Sequence, residues 1–156
     1  MKMQTVAVGI YHVRMDPDGR IRLPVEWRRL FMGTTAPVIL LASKTGDHVK
    51  MVPGLRVRKA SRLLKAQGIM PRPADSLERE LMTAAREVLE GAISVHIGSD
   101  GRLAISRALR NRIGFSGEVV LAGCCDTAEI WPAQRWPEQE NRMQATAVQS
   151  LDLLMK

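Results

Sequence analysis

The chain has 156 residues, 46% hydrophobic and 25% charged, a composition that excludes wholesale disorder and suffices for a real core without disulfides. No apolar run approaches the roughly 18 residues that a bilayer span needs, and the apolar stretch of the opening MKMQTVAVGIYHVRMD is too short and too interrupted for a signal peptide, so a soluble cytosolic protein is expected. The net charge of +7 is unevenly spread: residues 1–73 hold 14 Lys/Arg against 4 Asp/Glu, and residues 74–156 hold 9 against 12, a basic half followed by a mildly acidic one that suggests a polyanion partner.

The first element in chain order is an alternating segment. Tyr11, Val13 and Met15 alternate with His12 and Arg14, and Ile21 and Leu23 alternate with Arg20 and Arg22, the period of a half-buried strand. Between them Pro17-Asp18-Gly19 predicts a three-residue turn, with Pro at the preset φ position and Gly at the left-handed one. A closed hairpin would pair Met15 with Ile21, Val13 with Leu23, Arg14 with Arg22 and Asp16 with Arg20, which sorts apolar residues to one face and charges to the other. Pro24 is the expected first residue of a short helix through VEWRRLF. Two short strands follow, near 37–42 and 48–52, joined by a turn over Ser43–Asp47.

Residues 55–67 read as a strongly basic helix (Arg56, Arg58, Lys59, Arg62, Lys65), broken at Gly68–Pro73. Asp75 with Glu78 resembles a capping box, and Leu77, Leu81, Ala84, Ala85, Val88 and Leu89 then form an apolar stripe closed by Gly91. The opening pattern then returns. HVRMDPDGRIRLPVEWR (12–28) aligns without a gap on SVHIGSDGRLAISRALR (94–110) at an offset of 82, with Val13/Val95, Asp18/Asp100, Gly19/Gly101, Arg20/Arg102 and Arg28/Arg110 identical. The second copy predicts the same hairpin around Ser99-Asp100-Gly101, a helix capped by Ser106 and ended by Gly114, and strands near 118–122 and 127–131. A last helix after Trp136 carries Met143, Ala147, Leu151 and Leu154 on one face. Two copies of one unit in one chain imply an internal pseudo-dimer.

Candidate chemistry is sparse. The only cysteines, Cys124 and Cys125, are adjacent, cannot easily reach relaxed disulfide geometry, and show no zinc-ligand spacing. His12, His48 and His96 show no ligand spacing, and there is no phosphate-binding loop or dinucleotide fingerprint. Asp126 and Glu129 form a carboxylate pair near a turn with no nucleophile beside it. No catalytic residue, metal, cofactor or small-molecule substrate is therefore expected. Arginines are the candidates, because a guanidinium binds phosphate or guanine through two parallel hydrogen bonds. Arg14, Arg20 and Arg22 fall on the exposed face of the first hairpin, Arg102 is the matching residue of the second, and Arg28 and Arg110 lie one helical turn beyond.

The paired hairpins DPDGRIRLP and GSDGRLAIS, the following VVLAG, and the segment from Glu129-Ile130-Trp131 to Trp136 resemble the MraZ family, within the SpoVT/AbrB-like DNA-binding class. The resemblance implies an α+β fold, a double-split β-barrel of two SpoVT/AbrB-like repeats (6–54 and 92–136) with inter-repeat helices (55–91) and a C-terminal helix (137–156). It also implies a transcriptional regulator in the cytoplasm, nucleoid-associated, that binds double-stranded DNA at short promoter repeats as a homo-oligomeric ring, with no membrane partner. The sequence departs from the family pattern at Gly98, where the first copy has Asp16, and at Ser106, where the pattern usually has Pro. An antitoxin-like or protein-binding module of the same fold class is the alternative; the compact amphipathic C-terminus favours self-assembly over that role.

Overall fold

A computed structural model describes residues 6–33, 37–54 and 92–155. The expected inter-repeat helices, with the basic 55–67 segment and the Leu77–Leu89 stripe, lie outside the described residues. Two antiparallel sheets and several helices make an α+β fold. Strands β1 (Ile10–Arg14), β3 (Val38–Ala42), β4 (Val49–Pro53), β5 (Ala92–Val95), β7 (Glu118–Gly123) and β8 (Ala128–Pro132) form a six-stranded sheet in the order β1-β7-β8-β4-β3-β5, and β2 (Arg20–Arg22) pairs with β6 (Arg102–Ala104) in a separate ribbon. Among the described strands neither sheet closes on itself.

The expected hairpins do not form. The turns do: Asp16 N–H donates to the Arg20 carbonyl at 3.0 Å and Gly98 N–H to the Arg102 carbonyl at 2.8 Å. Beyond those bonds the strands part. Val13 faces Val119 and Arg14 faces Glu118 on β7, while Ile21 faces Leu103 and Arg22 faces Arg102 on β6. Likewise Val95 faces Val38 on β3. The pairings of Met15 with Ile21, Val13 with Leu23 and Arg14 with Arg22 are thus replaced by pairings between the copies. Each copy lends its first strand to the other's sheet, and the copies share the ribbon. Face sorting survives because it depends only on the period of two: Met15, Ile21 and Leu23 are buried and Arg14, Arg20 and Arg22 exposed.

The exchange has an internal two-fold. At the offset of 82, Ile21 corresponds to Leu103, its own ladder partner, and the sheet order reads the same from either end with β8 beside β4 at its centre. The core gathers Ile21, Leu23, Leu103 and Ile105 with Leu40, Met51, Val119, Leu121 and Ile130 of the sheet. Two short helices seal it. α1 (Val25–Met32) contributes Trp27 and Phe31; α2 (Arg107–Ile113) contributes Leu109 and Ile113. Fully buried Trp27 meets Tyr11 edge to face at 5.4 Å and donates its indole N–H to the Val8 carbonyl at 2.9 Å, so its polar atom is satisfied.

Helix ends largely follow the sequence. Pro24 is the N-cap of α1 rather than its first helical residue. Ser106 caps α2 by accepting the Leu109 N–H at 3.3 Å, and left-handed Gly114 ends it. The last helix, α3, spans Trp136–Met155 after a 3-10 turn at Ala133–Arg135. Trp136 packs with Val120, Ala122 and Trp131 in a second cluster, apart from the main core.

Candidate nucleic-acid interface

The ribbon of β2 and β6 turns Ile21 and Leu103 into the core and leaves Arg20, Arg22, Arg102 and Ala104 exposed. Arg22 stands directly opposite Arg102, and Arg20 opposite Ala104. Ladder bonds run from Leu23 N–H to the Gly101 carbonyl and from Ile105 N–H to the Gly19 carbonyl, both at 2.9 Å. Their alternation makes Arg22/Arg102 a non-hydrogen-bonded pair, the kind whose side chains lie closest. Like charges directly opposite are unfavourable in such a pair; an anion between them reverses the sign.

The turns hold two of these arginines by different means. Asp16 caps the first turn, with Oδ1 accepting the backbone N–H of Asp18 and Arg20 at 2.9 Å each and Oδ2 meeting Arg20 Nε at 2.9 Å. The backbone N–H of Arg20 leads the causes holding the Asp16 carboxyl below its ordinary range, outweighing partial burial. Asp18 adds a longer contact to Arg20 Nη2, 3.3 Å. In the second turn, where Gly98 stands, Asp100 takes over: its Oδ1 accepts the Arg102 N–H at 3.2 Å and its Oδ2 lies 3.4 Å from Arg102 Nε. A Cβ at Gly98 would come within 2.9 Å of that Oδ1, so the missing side chain makes room for the substitute. Arg22 has no carboxylate partner among the described residues.

Arg28 and Arg110 sit elsewhere, and by the same two-fold logic. The Arg110 guanidinium lies over Gly19 of the other copy's turn and donates from Nε to the Ile105 carbonyl at 3.0 Å. The Arg28 guanidinium lies over Gly101, with its Nε buried and unpartnered. Both glycines are left-handed, φ +82° and +83°, and a Cβ on either would overlap the guanidinium. Each arginine therefore braces the turn that carries the other copy's ribbon arginine. The sequence held a hint, since Arg28/Arg110 and Gly19/Gly101 repeat at one offset, but only strand exchange brings each arginine to the opposite turn. Arg14 lies off the ribbon, on β1 opposite Glu118. His12 and His96 are exposed.

A second polar cluster, which the histidine spacing did not foretell, joins the copies on the other side of the sheet. His48 Nδ1 meets Asp47 Oδ1 at 2.7 Å, and its Nε2 lies 3.1 Å from Glu129 Oε2, an ion-pair distance without good hydrogen-bond geometry. Its ring stacks on Trp131 at 4.2 Å, and Trp131 meets Trp136 at the start of α3. Burial alone would lower the His48 pKa, but Glu129 and Asp47 together outweigh it and raise the value. Asp47 is drawn down to about 2 against its own burial, by bonds from Thr45, His48 and Ser43. Beside them a cleft of about 230 Å³ is lined by Asp47, Trp131, Arg135, Glu138, Gln139 and Arg142.

The sequence has relatives among known proteins. Residues 88–152 match a family model described as "MraZ protein, putative antitoxin-like". The chain is 29% identical over 147 residues to the transcriptional regulator MraZ of Rhodococcus jostii, covering 90% of this chain and 94% of that protein. It is 26% identical over 147 residues to the protein of that name from Dehalococcoides mccartyi, covering 94% and 96%. With the one from Neisseria meningitidis it shares 25% over 144 residues, 92% of this chain and 87% of the relative. These similarities run through both copies of the internal repeat, so over nine-tenths or more of its length the chain is similar to transcriptional regulators named MraZ.

Proposed function

We propose that this protein is a sequence-specific DNA-binding transcriptional regulator, and not an enzyme, whose ribbon of β2 and β6 is the face laid on double-stranded DNA. The observation that carries the reading is the cross-strand pair Arg22/Arg102: two exposed arginines directly opposite each other on a two-stranded ribbon, with Arg20 on the same face. A two-stranded ribbon has the width of the major groove, and arginine is the residue that most often reads guanine there. Arg20, Arg22 and Arg102 are the contacting residues in this reading, Arg14 a flanking one, and Arg28 and Arg110 act by bracing the turns. The architecture is read as a double-split barrel whose two SpoVT/AbrB-like repeats exchange their first strands and face each other across the ribbon.

The reading extends to assembly. Met143 and Leu154 on α3 are exposed in the single chain, and burying them against further copies would make a homo-oligomeric ring. A ring repeats one ribbon per subunit, so consecutive subunits engage consecutive promoter repeats and weak single contacts multiply. The site of action is then the nucleoid, in the cytoplasm.

The test is binding to duplex DNA from the region upstream of the gene, measured by fluorescence anisotropy across salt. Three neutralised phosphates per ribbon give a slope near −2.7 in log affinity against log salt, or about a fortyfold loss between 50 and 200 mM. Binding that ignores salt, or that fails at low salt, refutes the reading.

A further inference from the structure

We infer that His48 is a proton-operated latch on α3: its imidazolium holds Asp47 and Glu129 together across the seam between the copies, and loss of the proton frees Glu129 and loosens the Trp131–Trp136 contact that docks the helix. The latch stands apart from the DNA reading, and only its consequence for assembly rests on the assembly proposed above.

An imidazole has two nitrogens, and the neutral ring has only one N–H to give. His48 meets a carboxylate at each: Asp47 Oδ1 lies 2.7 Å from Nδ1 and Glu129 Oε2 3.1 Å from Nε2, with all three side chains largely buried. Only the imidazolium attracts both. In the neutral ring one lone pair must face a carboxylate oxygen, and Glu129 is the partner that yields. Asp47 is fixed in its turn, since its Oδ1 also accepts from Ser43 Oγ at 2.9 Å and from Thr45 Oγ1 at 2.6 Å. Glu129 has an exit, because Lys50 stands directly opposite it on β4. Burial opposes the proton on His48, and Glu129 and Asp47 together outweigh it. The latch therefore holds below the raised folded pKa and opens as pH rises through it.

Release of Glu129 is felt at the helix. Its other oxygen, Oε1, accepts the Trp131 indole N–H at 3.3 Å, and the Trp131 ring is stacked on His48, with 4.2 Å between centroids and 12° between planes. Deprotonation takes the cation from the face of that ring and, with Glu129, the partner of its indole N–H. Trp131 in turn packs edge to face, at 5.9 Å, on buried Trp136, the first residue of α3. The other charged groups around His48 do not replace its proton. Arg135 is turned to the Gly46 carbonyl at 3.3 Å, Glu138 and Arg142 pair with each other at 2.8 Å, and burial together with Glu129 pushes the Cys124 thiol away from ionising. Met143 lies exposed on the helix so latched, and the proposed assembly thereby becomes proton-dependent.

The test is hydrogen exchange of the full chain, read by mass spectrometry from about pH 5.5 to about pH 8.5 and corrected for the intrinsic rate at each pH. In wild type the amides of residues 140–146 in α3 are expected to exchange about tenfold faster at the alkaline end, the worth of one hydrogen bond to a charged group, while α2 keeps its rate. Two variants separate a latch from a merely structural contact, and the α2 rate reports that each is folded. His48→Gln cannot take the proton and is expected to show the fast α3 rate at every pH. Glu129→Gln offers an N–H to the neutral ring and is expected to stay slow at every pH, a rescue by removal of the charge. A wild-type α3 rate that ignores pH, an equal response in α2, or a pH response that survives in either variant overturns the latch. Light scattering on the same samples reads the assembly: a size that falls as α3 loosens supports the link, and a constant size overturns that link while leaving the latch standing.

Discussion

Gly19, Gly101 and Gly46 are all left-handed, at φ +82°, +83° and +72°, yet their surroundings differ. Alanine at each therefore separates backbone strain from crowding. A Cβ at Gly46 meets nothing within 4 Å, so Gly46→Ala should cost only the left-handed penalty, about 1–2 kcal/mol. At Gly101 the Cβ would lie 2.5 Å from Arg28 Cζ. That group is the end of a long side chain and can swing away, which adds about 1 kcal/mol of rotamer strain and brings the total to about 2–3 kcal/mol. At Gly19 the Cβ would lie 2.7 Å from the Ile105 carbonyl oxygen as well as 2.6 Å from Arg110 Nε. That carbonyl is backbone, and Ile105 N–H bonds back to the Gly19 carbonyl, so relief must distort the ribbon ladder. With overpacking and a weakened hydrogen bond added, Gly19→Ala should cost about 3–5 kcal/mol. Urea unfolding at fixed protein concentration, followed by tryptophan fluorescence, gives the three differences if the denaturant slopes agree. The expected order is Gly46 below Gly101 below Gly19. Equal losses at Gly46 and Gly19 would refute the claim that the turns are clamped between the copies.

Arg110→Ala should lower stability by about 1–2 kcal/mol, because the Ile105 carbonyl loses a charged donor; a fully stable variant that no longer binds DNA would make Arg110 a DNA ligand instead of a brace. Arg22→Ala, with no carboxylate partner to lose among the described residues, should leave urea stability within about 0.5 kcal/mol of wild type while weakening duplex binding and flattening its salt slope by about 1. The raised His48 pKa means that the folded state holds a proton more tightly there than the unfolded chain does. Its contribution is complete below the ordinary histidine value, near 6.5, and is lost as pH rises through the folded value; His48→Gln should remove that alkaline loss in a series of urea midpoints. Asp47 has the opposite sign, contributing above its ordinary carboxylate range and losing that contribution as pH falls toward about 2. Ser106→Ala should cost about 1 kcal/mol through loss of the α2 cap, and an unchanged urea midpoint would mean that the 3.3 Å bond contributes nothing.

What the sequence made legible was whatever depends on neighbours along the chain. Alternation at Tyr11–Met15 and Arg20–Leu23 determined which side chains are buried. Gly19 and Gly101 marked the turns, Ser106 and Gly114 the ends of a helix, and the strands near 37–42, 48–52, 118–122 and 127–131 stand within a residue or so of those positions. Partner choice was not legible. The bond from Asp16 N–H to the Arg20 carbonyl closes the turn equally well whether the flanking strands then pair with each other or separate. A period of two puts Val13 inward in either case, so the pattern that predicted the hairpin is also satisfied by the exchange. The arginine candidates divided for the same reason. Arg20, Arg22 and Arg102 reached one surface because they lie on the shared ribbon, whereas Arg14 left with β1 and joined β7. His48 meets Glu129 only because β4 and β8 are neighbours at the centre of the sheet, a contact between the copies that no local spacing encodes.

Exchange of the first strands also constrains the order in which the protein can be made. β1 leaves the ribosome well before β7, yet its ladder joins Ile10 to Ala122 and Arg14 to Glu118, residues 112 and 104 positions further on. Until β7 has been synthesised, β1 lacks its only ladder partner among the described strands, and Ile10 at its start and Val8 just before it present apolar surface even in the finished fold. Contacts of such separation fold slowly, because the loop must close before any pairing rewards it. A nascent chain is therefore open to strand pairing with another nascent chain until β7 has emerged. Two chains emerging together from one message could trade first strands between molecules as readily as one molecule trades them between its halves. Translation rate and the spacing of ribosomes thus bear on the yield of correctly closed protein, independently of the stability of the final fold.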